Sequence, residues 1–189
     1  RIPAGWDVTV TDNYPGMVMD AMEALADVDR EFDFDAVDAR DIPYPADAFD
    51  AVTAHAVLSH LTDADREQAL REIRRVLKAD GELYAATTGE DDLRELFEVA
   101  GDYGALPDAS GFALENGAAQ LRGVFEDVEL HRFEHALRIT EPEPAVAYVR
   151  SLPGFDDADA FALADALRER IGEDAFEVER SVGVFVASD

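Results

Sequence analysis

From Phe34 to Thr87 the hydrophobic pattern passes from strand-like to helix-like and back, and no other stretch limits the fold as tightly. Phe34 to Asp38 is a short apolar strand ending in an acid, and Ile42-Pro43-Tyr44-Pro45 keeps the next segment out of the helical region. Phe49 to Ala54 reads as a second strand, with His55 to Leu61 as the loop beyond its carboxyl end. Thr62 is placed to cap a helix whose first turn holds Asp63 and Asp65, where the helix dipole favours anions. Ala69, Leu70, Ile73, Val76 and Leu77 form its apolar stripe, Asp80-Gly81 is the expected stop, and Leu83 to Thr88 is the third strand. This β-loop-β-α-β order belongs to an open, mostly parallel sheet.

The flanks extend the same scheme. Val8 to Thr11 is a β-branched strand ending at Asp12, and Asn13-Tyr14-Pro15-Gly16 is a turn in which Asp12 or Asn13 can cap the following helix. That helix runs to about Ala26, with Met17, Met19 and Met22 expected as core filler. Glu31 to Val37 sets Phe32, Phe34 and Ala36 against acids, so one face is expected to be buried. Beyond Gly89, helices are expected over 91–100, 116–125, 142–152 and 158–171, and a long strand over 125–139. A closing strand is expected over 178–187. There is no internal repeat and no linker long enough to divide the chain. The expectation is one domain over 1–189, with a ligand-binding half at 8–88 and a second half at 89–189.

Charge decides which partners fit. The chain has 43 acidic and 16 basic residues, a net charge of −27, and its single lysine is Lys78. The acids are spread over helix faces and loops, so a folded domain repels itself in dilute buffer. At molar salt the Debye length falls to about 3 Å and most of that repulsion is screened. Dispersed acids, scarce lysine and plentiful alanine resemble proteins of extreme halophiles that keep molar salt inside the cell. No basic patch offers phosphate binding, so nucleic acid is not an expected partner. Without cysteine there is no disulfide framework, thiol nucleophile or thiolate metal site. No apolar run reaches membrane-spanning length and no secretory signal is visible, so no membrane partner is expected and the cytoplasm is the expected location.

In open α/β sheets, ligands bind beyond the carboxyl ends of parallel strands. Three such ends are identifiable: Asp12, Asp38-Ala39 and Ala54-His55. An acid beyond a strand end can accept both hydroxyls of a ribose, and a second Asp beside a backbone amide one strand over suits the edge of an adenine. His55 and His60 are general-base candidates near the mouth, with Tyr84 more remote. His131 and His135 lie four apart on an expected strand without a supporting carboxylate pattern, so no metal is expected.

Asp12 with D-x-x-P-G-M, then D-A-x-D-I-P-Y, F-D-A-V-x-A, L-x-H-L and R-x-L-K-x-D-G-E-L together resemble the class I S-adenosylmethionine-dependent methyltransferases. The likeness is greatest to the type 11 and type 25 domain families and to quinone-biosynthesis methyltransferases, and it covers roughly residues 8–88. It implies a Rossmann-like α/β fold: an open, twisted, mostly parallel sheet with helices on both faces and an antiparallel C-terminal strand. It also implies S-adenosylmethionine as cofactor. Asp12 would hold the ribose beside Asn13 and Met17, Asp38 and Ala39 the adenine edge, and Ala54 and His55 the methionine end, with His55 as the candidate catalytic residue. The family's glycine-rich loop and the central strand before it have no counterpart here, so an upstream segment carrying them is expected. The acceptor is expected to be a small molecule, bound around 100–124 and 140–172, where Phe112, Leu114, Tyr148, Leu152, Phe155 and Phe161 either line its cavity or, as the more ordinary reading, pack in the core. A homodimer is the oligomer weighed.

Two other classes remain open at the level of sequence. One is a non-catalytic scaffold of the same fold. The other is an NAD-dependent enzyme, which shares the acid at a strand end but not the D-A and R-x-L-K-x-D-G signals.

Overall fold

A computed structural model describes residues 3, 5–103, 111–152, 155 and 159–189. The first unit is β1 (Thr9–Asp12), α1 (Pro15–Leu25) and β2 (Asp33–Ala36), in which β1 and β2 form a parallel pair. The second is a four-stranded sheet in the order β3-β4-β6-β5, built from β3 (Phe49–His55), β4 (Leu77–Thr88), β5 (Asp127–Ile139) and β6 (Phe176–Ser188). β3 runs parallel to β4, while β6 is antiparallel to both β4 and β5. Helices α2 (Asp63–Val76), α3 (Arg94–Ala100), α4 (Gly117–Leu121), α5 (Pro142–Arg150) and α6 (Ala160–Ile171) complete the chain. This is the expected α/β class with its antiparallel closing strand. Among the described residues β1 pairs only with β2 and β3 only with β4, so each keeps an edge without a strand partner. No helix among them is long and apolar enough to cross a membrane.

The α2 stripe folds as its periodicity dictates. Ala69, Leu70, Ile73, Val76 and Leu77 are all buried, and Thr62 Oγ1 accepts the Asp65 N–H at 3.3 Å as the cap. The helix ends earlier than Gly81, however. Leu77 already has strand dihedrals, and Gly81 sits in β4, where a Cβ would lie 3.1 Å from the Lys78 nitrogen and the Phe49 carbonyl. The glycine is needed for close backbone approach, not for stopping a helix.

Burial alternates along β4: Leu83, Ala85 and Thr87 are buried, whereas Glu82, Tyr84 and Ala86 are half-buried. The buried face packs with Leu70 and Ile73 of α2, Leu121 of α4 and Phe185 of β6 in a core that joins both halves of the sequence. Phe112 and Leu114 belong to this core, at 2% and 3% exposure, in keeping with the core-packing reading of the two. A second core lies wholly in the C-terminal half, where Leu96, Ala145, Val149, Leu163, Leu167 and Val178 bring α3, α5 and α6 onto the start of β6.

Around α1 the expectations fail. Met17, Met19 and Met22 are 53%, 69% and 49% exposed, and Val18 is the helix's buried residue. Neither Asp12 nor Asn13 caps the helix; Tyr14 is the cap residue, and Asp12 Oδ1 accepts the Tyr14 N–H at 2.8 Å in the preceding turn. Phe32 and Phe34 are half-buried and Ala36 is exposed, so the face expected to be buried is covered only in part.

Candidate functional site

Parallel pairing aligns the carboxyl ends of β1 and β2: Asp12 is registered with Ala36, and the Val37 N–H donates to the Asp12 carbonyl at 3.0 Å. Asp38 therefore follows just beyond the level of Asp12 on the neighbouring strand. Asp12 is half-buried, and with Oδ1 held by the Tyr14 N–H, its Oδ2 has no protein partner among the described residues. Asn13 and Met17 flank it in exposed positions. The Ala39 N–H is likewise unpaired among them.

Asp38 is more committed than the sequence implies. Arg40 Nε reaches its two oxygens at 3.0 and 3.1 Å, Arg40 Nη2 donates to Oδ2 at 2.6 Å, and the Arg40 N–H donates to Oδ1 at 2.9 Å. The Arg40 side-chain hydrogen bonds hold the Asp38 carboxyl below the ordinary carboxylate range. Arg40 also pairs with Asp65 at 3.2 Å, and its carbonyl accepts Gln68 Nε2 at 2.8 Å, fastening the segment after β2 to the start of α2. Further along, Arg75 donates to the carbonyls of Ile42 and Tyr44, both at 2.8 Å. The basic face of α2 is thus structural.

The third strand end carries Ala54, 5% exposed, and His55, exposed and registered with Ala86. Ala56 follows with φ 55°, a left-handed conformation that turns the chain sharply out of β3. His60 is exposed, and Tyr84 is held by a hydrogen bond to Glu82 that, with burial, raises its phenol pKa. His131 and His135 are exposed on β5, and among the described residues no group of three or more His, Cys, Asp or Glu side chains is arranged to hold a metal.

The loop after His55 is set by a residue the sequence reading passed over. Arg66, 2% exposed, donates through Nε to the Leu58 carbonyl at 2.9 Å and through Nη2 to the Leu61 carbonyl at 2.7 Å. Its Nη1 reaches Asp63 at 2.9 Å and Gln120 at 2.8 Å. The signal was available: Arg66 lies three and four residues before Ala69 and Leu70, so it continues the buried stripe of α2 by one turn.

Two cavities flank this framework. A cleft of about 480 Å³ between α1 and β2 is lined by Met19, Met22, Phe32 and Phe34, among others, and by none of the expected cofactor residues. A second, of about 360 Å³, lies among α3, α5 and the end of β5, with Leu93, Leu96, Leu137, Tyr148 and Arg180 in its wall. Of the expected acceptor-lining residues Tyr148 is there, Phe155 packs against the C-terminal core, and Phe161 is 85% exposed.

Comparison with known proteins gives this geometry its context. The methyltransferase domain family matches residues 2–85. The 27-O-demethylrifamycin SV methyltransferase of Amycolatopsis mediterranei is 32% identical over 126 residues, 65% of this chain and 39% of that protein. The chain spans 39%, 38% and 28% of the lengths of three curated methyltransferases that it matches. A crystal structure described as a methyltransferase, from Bacillus halodurans C-125, superposes with a TM-score of 0.67 at 15% identity, covering 96% of this chain and 82% of that one. The [4+2]-cyclase SpnF superposes with a TM-score of 0.55 at 19% identity over 96% of this chain and 66% of its own. The domain match over residues 2–85, the curated relatives and the shared fold agree: the chain is similar to the class I S-adenosylmethionine-dependent methyltransferases and has their α/β fold.

Proposed function

We propose that this protein transfers the methyl group of S-adenosylmethionine to a small-molecule acceptor. The observation that carries the reading is the alignment of Asp12 and Asp38-Ala39 at adjacent parallel strand ends, with Asp12 Oδ2 and the Ala39 N–H unpaired among the described residues. An unpaired carboxylate oxygen suits a ribose hydroxyl, and an unpaired amide suits a ring nitrogen of adenine. Asn13 and Met17 would flank the nucleoside, while Ala54 and His55 would lie toward the methionine end. When bound, the cofactor supplies an electrophilic methyl group, and the protein's task is positioning. His55, exposed at the end of β3, is the candidate base for an acceptor that must lose a proton.

The same reading treats 1–189 as one domain, supported by the core that joins residues of both halves. It places the protein in the cytoplasm of a salt-accumulating halophile, supported by the net charge of −27 and the single lysine. Nucleic acid and membrane are not among its partners in this reading. The exposed methionines of α1 support self-association, which light scattering at molar salt would test.

Calorimetry with S-adenosylhomocysteine in molar KCl tests the main proposal. Saturable binding that Asp12→Ala weakens at least tenfold is the expected result, and no binding by the wild type rejects it. A specific observation favours a second reading, a protein of this fold that does not transfer methyl groups. Arg40 occupies both oxygens of Asp38, and β1 and β3 each keep an unpaired edge among the described residues. The likeness to a cyclase shows that the fold alone does not fix the reaction.

A further inference from the structure

We infer that the cavity among α3, α5 and the β5–β6 overhang is a binding site for an elongated apolar molecule carrying a carboxylate, read by the guanidinium of Arg180. As a site for the methyl acceptor it rests on the reading above. β6 pairs with β4 only as far as Val182 opposite Thr88, so Phe176 to Ser181 project past the carboxyl end of β4, and Arg180 stands on this projection. Arg180, Val182 and Val184 alternate onto one sheet face, and Val184 is in register with Ala86, itself opposite His55. Arg180 and His55 therefore share a face, separated by two strand spacings across and four residues along, on the order of 16 Å.

The site is built rather than incidental. Asp92, 8% exposed, accepts both Arg180 Nε and the Ser181 N–H through Oδ1, each at 2.8 Å. Asp92 thereby fixes the guanidinium by its inner edge, and the Nη donors of Arg180 have no protein partner among the described residues. Two parallel N–H donors match the two oxygens of a carboxylate. The Tyr148 hydroxyl, also unpartnered there, lines the same cavity, and burial raises its pKa so that it remains a donor. Leu93, Leu96, Leu137, Ile139 and Ala145 supply the apolar wall, and Arg138 and Glu141 add one charge of each sign to the lining. Leu93 is held at φ 59° with its N–H on the Glu179 carbonyl at 3.0 Å, so the wall is fixed against β6. A cavity of about 360 Å³ accommodates a bicyclic aromatic.

The experiment compares 2-naphthoate with 2-naphthamide, which share shape but not charge, by calorimetry on the full chain in molar KCl. The acid should bind at least about tenfold more tightly than the amide. Arg180→Met should reduce that preference to less than threefold. Because the methionine leaves Asp92 with the Ser181 N–H but without a counter-ion, Arg180→Lys is measured beside it; it keeps a cation against Asp92 but removes the two-donor edge, and should also lose most of the preference. Equal binding of the two probes, failure of both to bind, or full preference in either folded variant overturns the inference. S-adenosylhomocysteine is titrated in parallel. Its failure to bind while naphthoate preference persists rejects methyl transfer and leaves the carboxylate site, whereas binding without the preference rejects this ligand class alone.

Discussion

The β3–α2–β4 block and the β1–α1–β2 unit share one order of elements, a strand, a helix and a strand, yet they are buried very differently. In the first, Leu70, Ile73, Val76, Leu77 and Leu83 are all at 3% exposure or less. In the second, α1 has one buried residue, Val18, and its three methionines face outward. The first block lies against β6 and α4, which bury it from the far end of the sequence, whereas among the described residues β1 pairs only with β2. Apolar periodicity states which face a helix can bury. It does not state whether a layer is present to cover that face.

Lowering the salt should separate the two regions most strongly. With a net charge of −27, dilution from molar KCl should unfold the protein, and hydrogen exchange should show β1–α1–β2 amides exposed before those of α2 and β4. A melting temperature unchanged between dilute buffer and molar KCl would remove the halophilic reading. Next in size is Arg66→Met, which strands the Leu58 and Leu61 carbonyls and should cost about 3 kcal/mol in urea unfolding. A loss below about 1 kcal/mol would mean that the guanidinium is replaceable by water. Thr62→Ala should cost about 1 kcal/mol through the lost cap of α2.

The link between the two regions should respond to pH. Asp38 has a folded pKa below its unfolded one, so it stabilises the fold above the ordinary carboxylate range and loses that contribution as pH falls through the folded value. Asp38→Asn should therefore be less stable than wild type at pH 7, with the two denaturation midpoints converging below about pH 4. A gap that persists in acid would assign the effect to packing. Met19→Gln should have the smallest effect, within about 0.5 kcal/mol, because the side chain is 69% exposed. A larger loss in solution would show that another surface covers α1.

Legibility in the sequence followed the same division. Thr62, the α2 stripe and the closing strand were readable because local pattern and long-range packing agree there. Gly81 was misread because a glycine after a helical stripe marks a stop as readily as a close backbone approach, and only the strand pairing of Phe49 with Leu77 decides between them. The three strand ends were readable as positions, since each closes a short run of strand-forming residues, and at Asp12 and Asp38 the run ends on an acid. That Arg40 takes up Asp38 was not, because its second anchor, Asp65, lies in a different element. Arg180 and Asp92 are 88 residues apart and neither forms a motif, so only folding brings them together.

The sheet order β3-β4-β6-β5 also has a consequence in time. β6 lies between β4 and β5 but follows both in sequence, and Leu83 to Thr88 of β4 bond to residues 182–187. As the chain emerges from the ribosome, β4 and β5 are both exposed before the strand that joins them has been made. Their edges stay open to other nascent chains for the whole of that interval. Assembly of the sheet must wait for its most distant pairing, which predicts slow folding and gives the dense negative charge a further use, keeping unfinished chains apart.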